Sequence, residues 1–173
     1  MKALVVYESM YGNTRAVAEA IAEGLGGSPV RAVHEAGEAP EQRDLLVVGG
    51  PTHVHGLTTA LSRRMAAEAA QEDGHAALEP GATAELGLRG WLRDLVACEG
   101  VRAAAFDTRL DRSAALTGTA ARGIARRLRR RGYEVVATES FLVQDAEGPL
   151  EDGELERARA WGEQLARLAG GQV

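Results

Sequence analysis

Apolar and polar positions follow two rhythms along this chain. Ala3–Tyr7 is an unbroken apolar run, the pattern of a strand buried on both faces of a parallel sheet. It passes into Thr14–Leu25, where Val17, Ile21 and Leu25 recur every fourth position before Gly26-Gly27 ends a helix. Val30–Val33 reads as a short second strand. Asp44–Val48 reads as a third, stopped by Gly49-Gly50-Pro51. Val101–Phe106 predicts the fourth, and Tyr133–Ala137, continuing near Phe141-Leu142-Val143, the fifth. Helical patterns fill the gaps at Leu57–Ala70, Leu88–Ala97, Thr119–Arg131 and Gly153–Ala169. The last of these aligns Leu155, Ala158, Trp161 or Gly162, Leu165 and Leu168. Strands alternating with helices imply an α/β three-layer sandwich on a parallel sheet. Gln71–Gly87 has no periodicity and reads as a surface loop. Neither an internal repeat nor a linker divides the 173 residues, so a single domain, 1–173, is expected.

The junction of the first strand and helix is built for an anion. Ser9-Met10-Tyr11-Gly12-Asn13-Thr14 places small and hydroxyl-bearing residues where backbone N–H groups and the dipole of a helix start converge. On the residues alone two readings stay open: a helix cap with Asn13 as the capping residue, or a phosphate nest. Capping requires one such residue, and this loop holds more than that. Lys2 is the chain's only lysine and lies at the far end of the strand, so Walker-type phosphate binding and Schiff-base chemistry are excluded.

Composition narrows the class further. Net charge is −5, which disfavours a nucleic-acid partner. Arg126–Arg131, without interleaved aromatics, reads as a solvated helix face. The single cysteine, Cys98, excludes an intramolecular disulfide and reads as a small buried side chain. The chain opens directly on a strand and no apolar run spans a membrane, so the expectation is a cytoplasmic protein with no membrane partner and no bound metal. His53 and His55 lack a third ligand nearby in sequence.

Ligands of an open parallel sheet bind outside the carboxyl ends of its strands. Three segments of unusual composition leave those ends: Ser9–Thr14, Gly49-Gly-Pro-Thr-His-Val-His-Gly56 and Asp107-Thr-Arg-Leu-Asp111. With these residues the chain resembles the flavodoxin-like family of FMN-binding proteins. Y-E-S-M-Y-G-N-T-R is similar to that family's phosphate loop, and S-M-Y-G also resembles its quinone-reductase branch. The resemblance implies a five-stranded sheet of order 2-1-3-4-5. It also implies FMN, with Ser9, Asn13 and Thr14 as side-chain donors to the phosphate and Met10, Tyr11 and Gly12 as backbone donors. Pro51, Thr52, His53, Val54, His55 and Gly56 would flank the ring on one side, and Asp107, Thr108 and Arg109 on the other.

The chain departs from the family pattern in two places. Tyr11 stands where a small hydroxyl residue is usual, and neither ring-flanking loop carries the customary Trp or Tyr. His53, His55 and Arg109 are the available substitutes. Arg109 or a protonated His55 is expected near the N1–O2 edge of the ring, favouring the anionic hydroquinone. Asp107 reads first as a capping or loop-bonding residue. The implied function is electron transfer through bound flavin to an unknown redox partner protein. An NAD(P)H-dependent quinone or nitro-compound reductase, or a flavin-less interaction domain of the same fold, are the alternatives. Acidic residues across 145–156 point to a basic partner.

Overall fold

The computed structural model describes residues 1–37, 43–53, 56–70, 75–84, 86–111 and 119–170. Its strands are β1 (Ala3–Tyr7), β2 (Val30–Ala32), β3 (Leu45–His53), β4 (Gly56–Leu57), β5 (Arg102–Leu110) and β6 (Glu134–Val143). The helices are α1 (Asn13–Gly24), α2 (Ala60–Ala69), α3 (Leu88–Asp94), α4 (Ala120–Arg130) and α5 (Glu154–Gly170). The sheet runs β2-β1-β3-β5-β6 in parallel, which is the expected order when those five strands are counted along the chain. The sixth strand, β4, was not foreseen; it pairs antiparallel with the end of β3.

Alternation along the buried strands builds two cores. Ala3, Val5, Leu45, Val47, Ala104 and Phe106 face α1 and α5, while Leu4, Val6, Leu46, Val48, Ala103 and Ala105 face α3 and α4. Phe106, Phe141 and Trp161 meet edge to face with centroids 6.1–6.4 Å apart. No helix among the described residues is long and apolar enough to cross a membrane.

Strands run further than their apolar cores. Gly49-Gly50-Pro51 does not stop β3, which continues to His53. The glycines serve close packing instead: a Cβ on Gly49 would lie 2.1 Å from the Phe106 ring, and one on Gly50 2.7 Å from Leu88. Pro51 is tolerated because β1 has ended; its last pair with β3 is Tyr7–Gly49. Asp107–Leu110, expected to be a loop, extends β5, and β6 is one strand whose register slips at Val136.

Two helix faces also differ from expectation. In α5 the buried set is Ala158, Trp161, Gly162, Leu165 and Ala169, whereas Leu155 and Leu168 are exposed. Helix α3 ends at Asp94, which leaves Val96 exposed, and Cys98 is half-buried against the α3/α4 core.

Helices α1 and α5 touch backbone to backbone. A Cβ on Gly24 would come within 2.1 Å of the Arg159 carbonyl oxygen, and one on Gly162 within 2.2 Å of the Ile21 carbonyl oxygen. Glycine costs about 1 kcal/mol against alanine inside a helix. Gly162→Ala is nevertheless expected to lower the unfolding free energy by about 1–3 kcal/mol through overpacking. Urea denaturation reads this, and an unchanged or raised midpoint contradicts the contact.

Candidate functional site

Helix α1 begins without a cap. Its N-cap is Gly12 in the left-handed region (φ 90°, ψ −17°), no side chain caps it, and its first turn holds no acid. A residue with a Cβ is strained there. The Gly12 N–H is met by Ser9 Oγ at 3.0 Å. Among the described residues, no acceptor meets the N–H groups of Met10, Tyr11, Asn13, Thr14 or Arg15. Two other helix starts are capped by side chains. Thr59 and Ser62 form a reciprocal capping box on α2. On α4, Thr119 Oγ1 accepts from Arg122 N, Thr52 Oγ1 from Ala120 N and Asp107 Oδ2 from Ala121 N. The donors at α1 are thus converged, preorganised and left for an anion.

The side chains of this loop divide. Ser9 is buried and keeps its own hydroxyl hydrogen to donate while accepting from Gly12. Thr14 Oγ1 lies 2.7 Å from Thr108 Oγ1, both buried, so α1 and the end of β5 share one hydroxyl pair. Asn13 is the first residue of the helix and not its cap. Its Nδ2 donates to the Glu147 carbonyl at 3.0 Å, a direction different from the phosphate contact the resemblance implies. Tyr11 sits beside Glu147; burial first, then that carboxylate, raises its phenol.

The described residues expected to flank a ring stand on strands rather than loops. Thr52 on β3 donates to Asp107 Oδ2 on β5 at 2.8 Å. Asp107 is fully buried and acts as a structural tie: its Oδ2 gathers Thr52 and the start of α4, and its Oδ1 has no partner among the described residues. His53 pairs with Gly56 in the β3–β4 ladder. Burial lowers its pKa, with Glu8 acting the other way, so the imidazole is neutral at pH 7. Arg109 follows Thr108 on β5 and donates to the Leu110 carbonyl at 3.1 Å. Val54 and His55, expected beside the ring, lie outside the described residues.

Two acidic elements escaped the sequence reading. Glu8, buried at the end of β1, accepts from Thr58 Oγ1 and from Leu88 N and Arg63 Nη1, each at 3.4 Å. Its position directly after a buried apolar run was the available signal. The second is a strap. Within 75–84, Glu79 N donates to the Met10 carbonyl at 2.8 Å, and a Cβ on Gly12 would lie 3.1 Å from Glu79 Oε1. Arg15 holds the other Glu79 oxygen at 3.4 Å. The strap's near end is pinned by Glu147, whose carboxylate accepts from Ala76 N at 2.8 Å and meets His75 Nδ1 at 2.6 Å. Nothing local in the sequence announces contacts so distant along the chain.

Residues 4–73 match a family model described as a flavodoxin domain. Flavodoxin 1 from Bacillus cereus superposes with a TM-score of 0.65 at 19% identity, covering 96% of this chain and 98% of its own. The chain has a flavodoxin-like fold. A flavodoxin from the domain Archaea aligns over 98% of this chain and 99% of its own, at 21% identity and TM-score 0.56. Two-electron reduced Megasphaera elsdenii flavodoxin gives 20% identity and TM-score 0.54 over 95% of this chain and 98% of its own. No curated protein matches the chain.

In this flavodoxin-like frame the strap is held by an ionised acid. The Glu147 carboxyl is kept below its ordinary value, first by the Ala76 N–H and then by His75. A depressed carboxyl pKa gives a contribution that is complete above the unfolded value and lost as pH falls through the folded one. Amide exchange at Ala76 and Glu79, taken relative to the intrinsic rate of the free peptide at each pH, is therefore expected to be slow at pH 7 and to lose that protection below about pH 4, the ordinary carboxyl range. Glu147→Gln is expected to accelerate it at pH 7 without changing α1 or α5. Equal exchange in the variant contradicts this tether.

Proposed function

We propose that the protein binds FMN and carries electrons through it. The observation that carries this reading is the uncapped start of α1, with its converged N–H donors above a left-handed Gly12. A phosphate dianion fits that donor set, which is neutral, dipolar and supplemented by the Ser9 and Thr14/Thr108 hydroxyls. Bound FMN would supply one- and two-electron transfer.

This chain's residues would do the rest. Met10, Tyr11, Asn13, Thr14 and Arg15 hold the phosphate through their amides. Pro51, Thr52 and His53 offer one wall for the ring, and Thr108 and Arg109 the other. Because His53 is neutral, Arg109 is the described wall residue that brings positive charge towards the reduced ring. Asp107 keeps the two walls in register by joining Thr52 to the start of α4.

Glu79 opposes the phosphate. Its carboxylate covers Gly12, so an incoming dianion meets a like charge at the mouth of its own site.

Titration of the purified protein followed by flavin absorbance and fluorescence tests the reading. FMN is expected to bind well and riboflavin, which lacks the phosphate, far more weakly. Glu79→Gln is expected to tighten FMN several-fold, about 1 kcal/mol for a removed repulsion across roughly 4 Å in water, and to leave riboflavin unchanged. Failure to bind FMN contradicts the reading and favours a flavin-less interaction domain; equal affinity for riboflavin contradicts the phosphate site at the start of α1.

A further inference from the structure

One surface stands against the chain's net charge of −5. Arg122, Arg126, Arg129 and Arg130 line an open groove of about 480 Å³ together with Ala125 and Thr138. Their spacing of three and four residues stacks them along one face of α4. All four are exposed, and none makes an ion pair with a described residue.

The arrangement costs the folded chain. Like charges three and four residues apart on a helix repel. Neighbouring Arg127 registers it, since burial first and then Arg89, Arg126 and Arg130 hold its pKa below the ordinary value. The helix dipole accounts for Arg129 and Arg130 in the last turn, but Arg122 lies in the first turn, at the positive end.

Nearby acids do not answer these cations. Glu139 on β6 is engaged by Arg157 at 3.1 Å, and Asp94 by Arg93 at 2.8 Å. Glu134, also on β6, forms no ion pair with a described residue. The acids of 145–156, expected to attract a basic partner, are partly consumed within the fold: Glu147 pins the strap, and Glu154 binds Arg157 and the Leu142 N–H.

The groove borders the sheet's edge strand. The outward groups of β6 are covered at Ser140 by Arg157 and at Leu142 by Glu154 and the Glu151 N–H. Thr138, two residues earlier, faces the same way and opens onto the arginines. At its other end α4 starts on Asp107 and Thr52, so the arginine track leads to the proposed cofactor walls.

We propose that this groove docks an acidic face of a partner protein. That the partner is the electron donor or acceptor rests on the function proposed above; the docking itself does not. A second copy is disfavoured, because pairing two β6 edges would bring two arginine faces together. Nucleic acid is disfavoured by the negative net charge and by the absence of aromatics among the arginines.

The test uses the full chain without flavin. Fluorescence anisotropy measures binding of a labelled glutamate-rich peptide, a DNA oligonucleotide and anionic phospholipid vesicles. The peptide is expected to bind most tightly and to weaken with salt. The double variant Arg126→Glu/Arg129→Glu is expected to lose at least about tenfold in affinity, while Arg31→Glu on the distant β2 edge changes nothing. Circular dichroism checks that both variants fold. The proposal is overturned if the peptide does not bind, if the double variant binds it equally, or if DNA or vesicles bind more tightly. A protein that binds the peptide but no FMN loses the electron-transfer reading and keeps the docking face.

Discussion

A helix start leaves N–H groups that must find acceptors, and the beginning of α1 is arranged so that the protein itself does not supply them. Gly12 turns left-handed, Ser9 takes the one N–H that this turn brings to it, and no acceptor among the described residues meets the amides around it. The carboxyl edge is organised around that constraint. Thr14 is tied to Thr108, which links the loop to β5, and Asp107 beside it links β5 to β3 and α4. An anion at the start of α1 would thereby lie against a pair of tied strand ends instead of a loop.

These strand ends rise from a deeply buried sheet. Both faces carry helices, so the central strands β1, β3 and β5 are almost wholly apolar until they pass the helix layer. Beyond it β3 and β5 continue as polar strands, with Gly49 and Gly50 admitting the Phe106 ring and Leu88 against the backbone. Charge is segregated on the same frame. An acid-bearing strap crosses the Ser9–Thr14 loop, and arginines without an ion pair to any described residue run down the outer face of α4.

Much of this was legible in the sequence. Residues Ala3–Tyr7 formed the strand their apolar run implied, alternation of the two periods implied the parallel α/β sandwich, and the order of the five parallel strands followed from the family resemblance. The loop at Ser9–Thr14 was found because its hydroxyl and glycine content exceeds what a cap requires. What stayed hidden was set by distant contacts. Gly49-Gly50-Pro51 reads locally as a stop, and only Phe106 and Leu88 turn it into a strand. Asn13 reads as a helix cap or a side-chain donor to a phosphate, yet its Nδ2 donates to the carbonyl of Glu147, far along the chain. Leu155 and Leu168 fit the helical period of α5 but fall at the margin of its buried stripe, because Gly162 brings α1 in close and narrows the contact.

The central claim is that the amides at the start of α1 are the anion site. Amide-resolved NMR of the labelled protein on addition of FMN tests it most directly. The account predicts that the N–H signals of Met10, Tyr11, Asn13, Thr14 and Arg15 move furthest, downfield, with slowed solvent exchange. Flavin binding that leaves those signals in place while others shift would contradict it.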